Sequence, residues 1–322
     1  MTHYAPARRE QMFGRIAIQG PPGSGKTPLA LTLATALAGQ APVAVIDTDG
    51  RAAEYADRFT FLHTTPLEAD PADLPTLVAE ANHAGAGALI IDSYSLYWSG
   101  PGGALDRVDR HSDRRTGWAE YRPIEAAIRI ALRTFPGHVL ATLRVKTEHV
   151  PEYTATEAGD RGRATTRRLG LKPDHREGVE HDFLTVGDLD TDHVLTITKS
   201  ACEDLADRRF HRPGPELADT MAAWLGQGIP VPDLRDIRAV IENPATDTAT
   251  LRAIRDDPAM AGWMPAPLID EDGNPLTLRD LINRIGKRRL AEEREAQKAA
   301  QTSTDQTNTD PAATTRQTEE TP

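Results

Sequence analysis

An α/β fold with a mostly parallel central sheet flanked by helices, followed by a small helical appendage, is what this sequence predicts, on three observations. Gly20-Pro21-Pro22-Gly23-Ser24-Gly25-Lys26-Thr27 matches the spacing GxxxxGK[ST] and lies between an apolar run, residues 15–19, and an apolar periodic segment, residues 28–38. The runs 42–46 and 88–91 are apolar throughout, as strands buried on both faces are, and helical segments alternate with them. Both runs end in a carboxylate, Asp47 and Asp92.

The glycine-rich stretch therefore sits where a strand hands over to a helix. Its glycines let backbone N–H groups curl around phosphates, and the helix N-terminus adds partial positive charge. Lys26 would neutralise the β- and γ-phosphates, and the Thr27 hydroxyl would ligate Mg²⁺. A purine triphosphate, ATP, with Mg²⁺ is the expected cofactor pair, held by Gly20 to Thr27. An ordinary Gly/Pro turn ahead of Lys-Thr would not explain both flanks.

Bulk properties narrow the class. A chain of 322 residues suits one sizeable α/β domain and a smaller appendage. A net charge of −11 argues against nucleic-acid binding by bulk charge, so such contacts must come from local basic patches. The single cysteine, Cys202, rules out an internal disulfide and a multi-cysteine zinc site. With no apolar leader after Met1 and no membrane-length apolar run, the expectation is a cytoplasmic protein without membrane contact.

Along the chain, residues 1–14 read as an extension and 15–229 as the core. Within the core, 59–63 reads as a short third strand, 71–84 as a helix, 123–135 as an amphipathic helix with proline in its first turn, and 138–145 as a strand. Residues 146–181 read as a long polar loop, 182–187 and 193–199 as a strand pair, and 215–225 as a closing helix. Residues 230–300 read as a small helical region with helices at 233–242, 246–256 and 276–300. Residues 301–322, rich in Thr, Gln and Asp, read as a disordered acidic tail.

In open parallel sheets ligands gather at the carboxyl ends of the strands, so Asp47, Asp49 and Asp92 should converge on the glycine-rich loop. Asp92 would reach Mg²⁺, usually through water. The next residue is Ser93 rather than a second acid, so the group that positions the attacking water must come from elsewhere. Asp49 is the candidate and Asp47 the alternative. An aspartate is one methylene shorter than a glutamate, and slow turnover would follow.

In the order GPPGSGKT, VAVIDTDG, ALIIDSYSLYW, HVLATLRVKTE and LTITKS, the chain resembles the RecA-like ATPases. It is most similar to the small phage members described as AAA-domain or Sak-type single-strand annealing and recombination ATPases. The resemblance spans residues 15–225. It implies a RecA-like core assembling head-to-tail into a ring or filament, with ATP at the subunit interface and single-stranded DNA in the centre. The second strand of that family ends in an acid pair whose second member is the catalytic Glu; Asp49 stands there. Thr142 matches the sensor strand, and Lys199 matches a lysine presented to the neighbour's γ-phosphate. Arg144 and Lys146 carry the same two readings as Lys199, that role or a solvated surface charge.

Two basic stretches suit a groove that tracks a single strand. One holds Arg107, Arg110, Arg114 and Arg115; the other holds Arg161, Arg163, Arg167, Arg168 and Lys172, and is the leading DNA-contact candidate. Cys202, Trp98 and Trp118 read as structural. The expected activity is slow ATP hydrolysis serving recombination or annealing of single-stranded DNA. Two other classes stay open: a P-loop kinase of a small acceptor, and a nucleotide-controlled binding module with little turnover.

Overall fold

The computed structural model describes residues 6–153, 164–230 and 233–307, with 147–153, 164–172 and 299–307 described by their backbone only. Its centre is a sheet of order β3-β2-β4-β5-β1-β7-β8-β9. The strands are β1 (Arg15–Gly20), β2 (Val43–Asp47), β3 (Leu62–Thr64), β4 (Ala88–Asp92), β5 (His138–Tyr153), β7 (Thr185–Leu189), β8 (Val194–Ser200) and β9 (Arg209–His211). Every pairing from β3 to β7 is parallel, and β8 and β9 add antiparallel. The mostly parallel sheet expected from sequence is the observed one.

Period-two alternation explains why β2 and β4 are apolar at every position before the terminal aspartate. Val43 and Val45 join Ile16, Ile18, Ile90 and Leu140 on one face, beneath α1 (Lys26–Ala38) and α6 (Pro215–Leu225). Ala44 and Ile46 join Leu89, Ile91 and Val139 on the other, beneath α2 (Leu74–His83) and α5 (Arg114–Thr134). Each strand feeds two apolar layers, and all five residues of β2 and of β4 are buried.

Between β4 and β5 the chain forms α3 (Leu96–Ser99), α4 (Ala104–Asp109) and then α5. The last of these begins nine residues before the expected start at 123, so Pro123 lies inside it. Asp113 caps the earlier start, accepting from the backbone N–H groups of Arg115 and Thr116. Buried Tyr121, Ile128, Ala131 and Leu132 hold the helix against the sheet across the hydrogen bond that proline cannot donate.

Residues 146–181 are not a structureless loop. β5 runs on past the sheet to Tyr153 and returns as antiparallel β6 (Ala164–Pro173), pairing from Val145↔Pro173 to Tyr153↔Ala164. The third strand is also displaced, to Leu62–Thr64. Beyond the core, α7 (Leu234–Glu242), α8 (Thr248–Asp256), the hairpin of β10 (Pro267–Ile269) and β11 (Pro275–Thr277), and α9 (Leu278–Thr307) share a separate apolar cluster. Its link to the core includes Arg235, which donates to the Ala86 carbonyl at 2.5 Å and to Asn82 Oδ1 at 3.2 Å. α9 continues through Thr307, so the first residues of the stretch expected to be unfolded are helical; 308–322 lie outside the described residues.

Candidate nucleotide-binding site

The loop between β1 and α1 is shaped by two glycines with left-handed backbones, Gly23 at φ 80° and Gly25 at φ 97°. Gly20 has no room for a side chain, since a Cβ there would lie 2.2 Å from the Leu189 carbonyl oxygen. That contact presses β1 against the end of β7. From the turn after β7, His193 Nδ1 reaches the Ser24 carbonyl oxygen at 2.8 Å. The oxygen can only accept, so Nδ1 carries the proton. Lys26 Nζ curls back over the loop to donate to the carbonyls of Gly20 and Pro21, each at 2.9 Å. No side chain caps α1 and no acid sits in its first turn. Its leading amides therefore face the cleft beside a lysine, and the Ser24 hydroxyl is buried without a hydrogen-bond partner among the described residues. Free amides, helix dipole and ammonium together make an anion-binding mouth.

Two carboxylates face that mouth. Asp92, at the end of β4, accepts from Thr27 Oγ1 at 2.6 Å through one oxygen and from the Thr142 hydroxyl through the other. Burial raises its carboxyl above the usual range, with the two hydroxyl bonds opposing. Asp49, two residues past β2, forms an ion pair with Arg144 Nη2. Burial lowers the Lys26 ammonium; Asp92 opposes that shift, Arg144 adds to it and Asp49 opposes it. The strand ends are laced together: the Thr48 hydroxyl donates to the Ser93 carbonyl at 3.0 Å and accepts from the Ser93 N–H at 2.8 Å.

Asp47, the alternative to Asp49, stands elsewhere. Its carboxylate is buried beneath the turn, accepting from the N–H groups of Asp49 (3.1 Å), Gly50 (2.8 Å) and Ala52 (2.7 Å), with His63 Nε2 at 3.1 Å. It closes the loop that carries Asp49 and does not line the cleft. Thr142 is fully buried, its hydroxyl turned onto Asp92 beneath the loop. Lys199 pairs with Val186 in the lower half of β7 and donates to the carbonyls of Glu180 and Phe183, each at 2.7 Å. It lies outside its own chain's cleft, and the reading that it serves a neighbour's nucleotide concerns a second copy of the chain. Arg161 and Arg163 lie outside the described residues, and Arg167, Arg168 and Lys172 lie on β6. In the other basic stretch, Arg107 is paired with Asp70 at 2.7 Å and Arg114 with Asp109 at 3.5 Å.

The cleft measures about 530 Å³ and takes in Pro22, Gly23, Lys26, Thr27, Asp49, Asp92 and Arg144. Arg51, Glu54 and Tyr55 also line it; sequence reasoning missed them because the single 3-10 turn Ala52–Tyr55 that Arg51 precedes has no periodicity. His193 was missed as well, for its left-handed φ of 61° leaves no signal in a non-glycine residue.

Among the described residues, no group of three or more His, Cys, Asp or Glu side chains forms a protein-only metal cage. Thr27 and Asp92 instead offer a hydroxyl and a carboxylate 2.6 Å apart, an all-oxygen pair. That donor set fits Mg²⁺, which is commonly held by one or two protein oxygens together with substrate phosphates and water. Among the described residues no helix is long and apolar enough to cross a membrane.

No curated protein matches this sequence. Among solved structures, one described as the crystal structure of the RadB recombinase is 17% identical and covers 63% of this chain and 86% of its own, with a TM-score of 0.32. A superposition that loose carries no argument about function. A family model described as AAA domain matches residues 13–198, from just before β1 into β8, and takes in Lys26, Asp49 and Asp92. That span is more than half of the 322 residues, and the chain belongs to this AAA domain family.

Proposed function

We propose that the chain binds and slowly hydrolyses ATP with Mg²⁺, and that it uses this cycle to act on single-stranded DNA in recombination or annealing. One observation carries the nucleotide reading: the GPPGSGKT loop, Lys26 and the carboxylates of Asp49 and Asp92 share one cleft at the carboxyl end of a parallel sheet. Loop amides and Lys26 hold the phosphates, and Thr27 with Asp92 holds the metal, which would neutralise charge on the transferred phosphoryl group.

The chemical step is transfer of the γ-phosphoryl group to water. The water oxygen bonds to Pγ, the bond from Pγ to the β–γ bridging oxygen breaks, and ADP leaves with that electron pair. Asp49 accepts the hydrogen bond that aims the water, and the water's proton passes to the released phosphate. Asp47, bonded to three backbone N–H groups, has no part in this step.

The DNA reading rests on the resemblance of the residues and on the β5–β6 ribbon, which extends from the carboxyl end of the central strand β5, the same end of the sheet as the cleft, and carries Arg167, Arg168 and Lys172 in its return strand. A basic two-stranded ribbon is suited to following a sugar-phosphate backbone. The family resemblance further implies head-to-tail assembly; Lys199 could serve a neighbour's nucleotide only by leaving the carbonyls it now bonds.

ATP turnover with and without a single-stranded oligonucleotide tests the proposal. Stimulation by the oligonucleotide is expected. Turnover that requires a small acceptor would replace the proposal with a kinase, and tight binding without turnover would replace it with a nucleotide-controlled binding module.

A further inference from the structure

Arg144 belongs to β5, yet it stands in the nucleotide cleft. β5 runs parallel beside β1 in a register that pairs Arg144 with Gly20, the first residue of the glycine-rich loop. Its main chain is anchored on both sides: its N–H donates to Ser95 Oγ at 2.9 Å, and its carbonyl accepts from the Asp174 N–H at 2.7 Å. Only the side chain is free to move. The side chain is 42% exposed at the cleft wall, and among the described residues its guanidinium engages Asp49 through Nη2 only. Lys26 feels its charge across the same space.

From this arrangement the geometry points to Arg144 as the residue that distinguishes a nucleoside triphosphate from a diphosphate, by exchanging its Asp49 partner for the terminal phosphate. This rests on the nucleotide reading above and adds the discriminating residue. The cation has two claimants. Asp49 offers one carboxylate at the rim, whereas a terminal phosphate between Lys26 and Arg144 offers more negative charge and a geometry that a planar guanidinium can grip with two N–H groups. A diphosphate lacks that group and leaves Arg144 with Asp49. The exchange has a second effect, because the carboxylate released is the one that would aim the attacking water. Recognition of the triphosphate and release of the water-positioning group become one side-chain movement.

The test compares equilibrium binding of a non-hydrolysable ATP analogue and of ADP, both with Mg²⁺, for the full-length chain and its Arg144→Ala, Arg144→Lys, Asp49→Asn and Lys26→Ala variants. Arg144→Ala should lower the preference for the triphosphate by about tenfold or more, the scale of a charge-assisted hydrogen bond, with ADP affinity within about twofold of the parent. Arg144→Lys should restore part of that preference, keeping the charge but not the two-pronged grip. Asp49→Asn should raise triphosphate affinity a few-fold, because the competing carboxylate is gone. If Arg144→Ala and Asp49→Asn both leave the ratio of the two affinities unchanged, or both weaken the two ligands equally, the assignment is overturned and the pair is structural. If the parent binds neither ligand, the nucleotide reading itself fails. Parent binding of both, lost in Lys26→Ala, isolates any negative Arg144 result from that failure.

Discussion

Thr27 and Asp92, 65 positions apart in sequence, are joined by a 2.6 Å hydrogen bond from Oγ1 to Oδ2 that ties the first turn of α1 to the end of β4. The bond brings the hydroxyl that follows Lys26 to the acid two strands away in the sheet, with β5 lying between β1 and β4. A cation bound there would meet two oxygens already in place.

Asp92→Asn should separate metal binding from folding. Burial raises the Asp92 carboxyl, so between its unfolded and folded pKa values the native state holds more protons than the unfolded chain, and stability falls as pH rises through that window. An asparagine can accept from one threonine hydroxyl and donate to the other without the buried charge. The ligand-free variant should therefore melt above the parent at neutral pH, with the difference shrinking as the pH is lowered, while the Mg²⁺ dependence of ATP binding is lost. Thermal melts at pH 7 and pH 4.5, with Mg²⁺ titrations, check both.

His138→Asn should remove an acid-sensitive point. His138 Nδ1 accepts from the Gly14 N–H at 3.0 Å, and burial together with the nearby Arg15 lowers its pKa from 6.5 to about 4. The unfolded chain therefore binds the proton first, and stability is lost as pH falls from 6.5 toward about 4. From pH 6.5 to pH 5 this one group should account for about 1.6 kcal/mol. Urea unfolding at the two pH values should show a smaller loss for His138→Asn, whose side-chain oxygen can still accept from Gly14; an equal loss in both proteins would contradict the assignment.

His193→Ala should loosen the glycine-rich loop without unfolding the core. The imidazole bonds the Ser24 carbonyl at 2.8 Å, and its backbone has a φ of 61°. Loss of that tie should weaken ATP and ADP binding alike, by about tenfold. Asparagine tolerates the left-handed backbone and carries an N–H donor, so His193→Asn should recover part of the affinity. Calorimetric titration of both ligands distinguishes this uniform loss from the selective one expected at Arg144.

The parts legible in sequence are those whose physics is local. Val43 to Ile46 and Ala88 to Ile91 announce themselves because burial on both faces leaves no polar position before the closing aspartate, and the glycine-rich loop announces itself because few residues can take its backbone. The β5–β6 ribbon was hidden because its pairing runs through polar and charged residues with no apolar alternation to follow. The early start of α5 was hidden because Pro123 looks like a first-turn residue, while the capping Asp113 sits among charges. The distinction between Asp47 and Asp49 lay out of reach for another reason: it depends on which carboxylate the turn's own N–H groups point toward, and that exists only once the turn is folded.

The most direct measurement is calorimetric titration of ATP with Mg²⁺ into the full-length chain and into Lys26→Ala, at matched unfolding midpoints. Lys26 Nζ now bonds the carbonyls of Gly20 and Pro21 at the cleft mouth, where it is placed to meet a phosphate. Saturable binding by the parent, with affinity lower by at least about tenfold in the variant, is the expected result. Equal affinity in the two proteins, or no binding by the parent, would contradict the placement of a triphosphate at the head of this sheet.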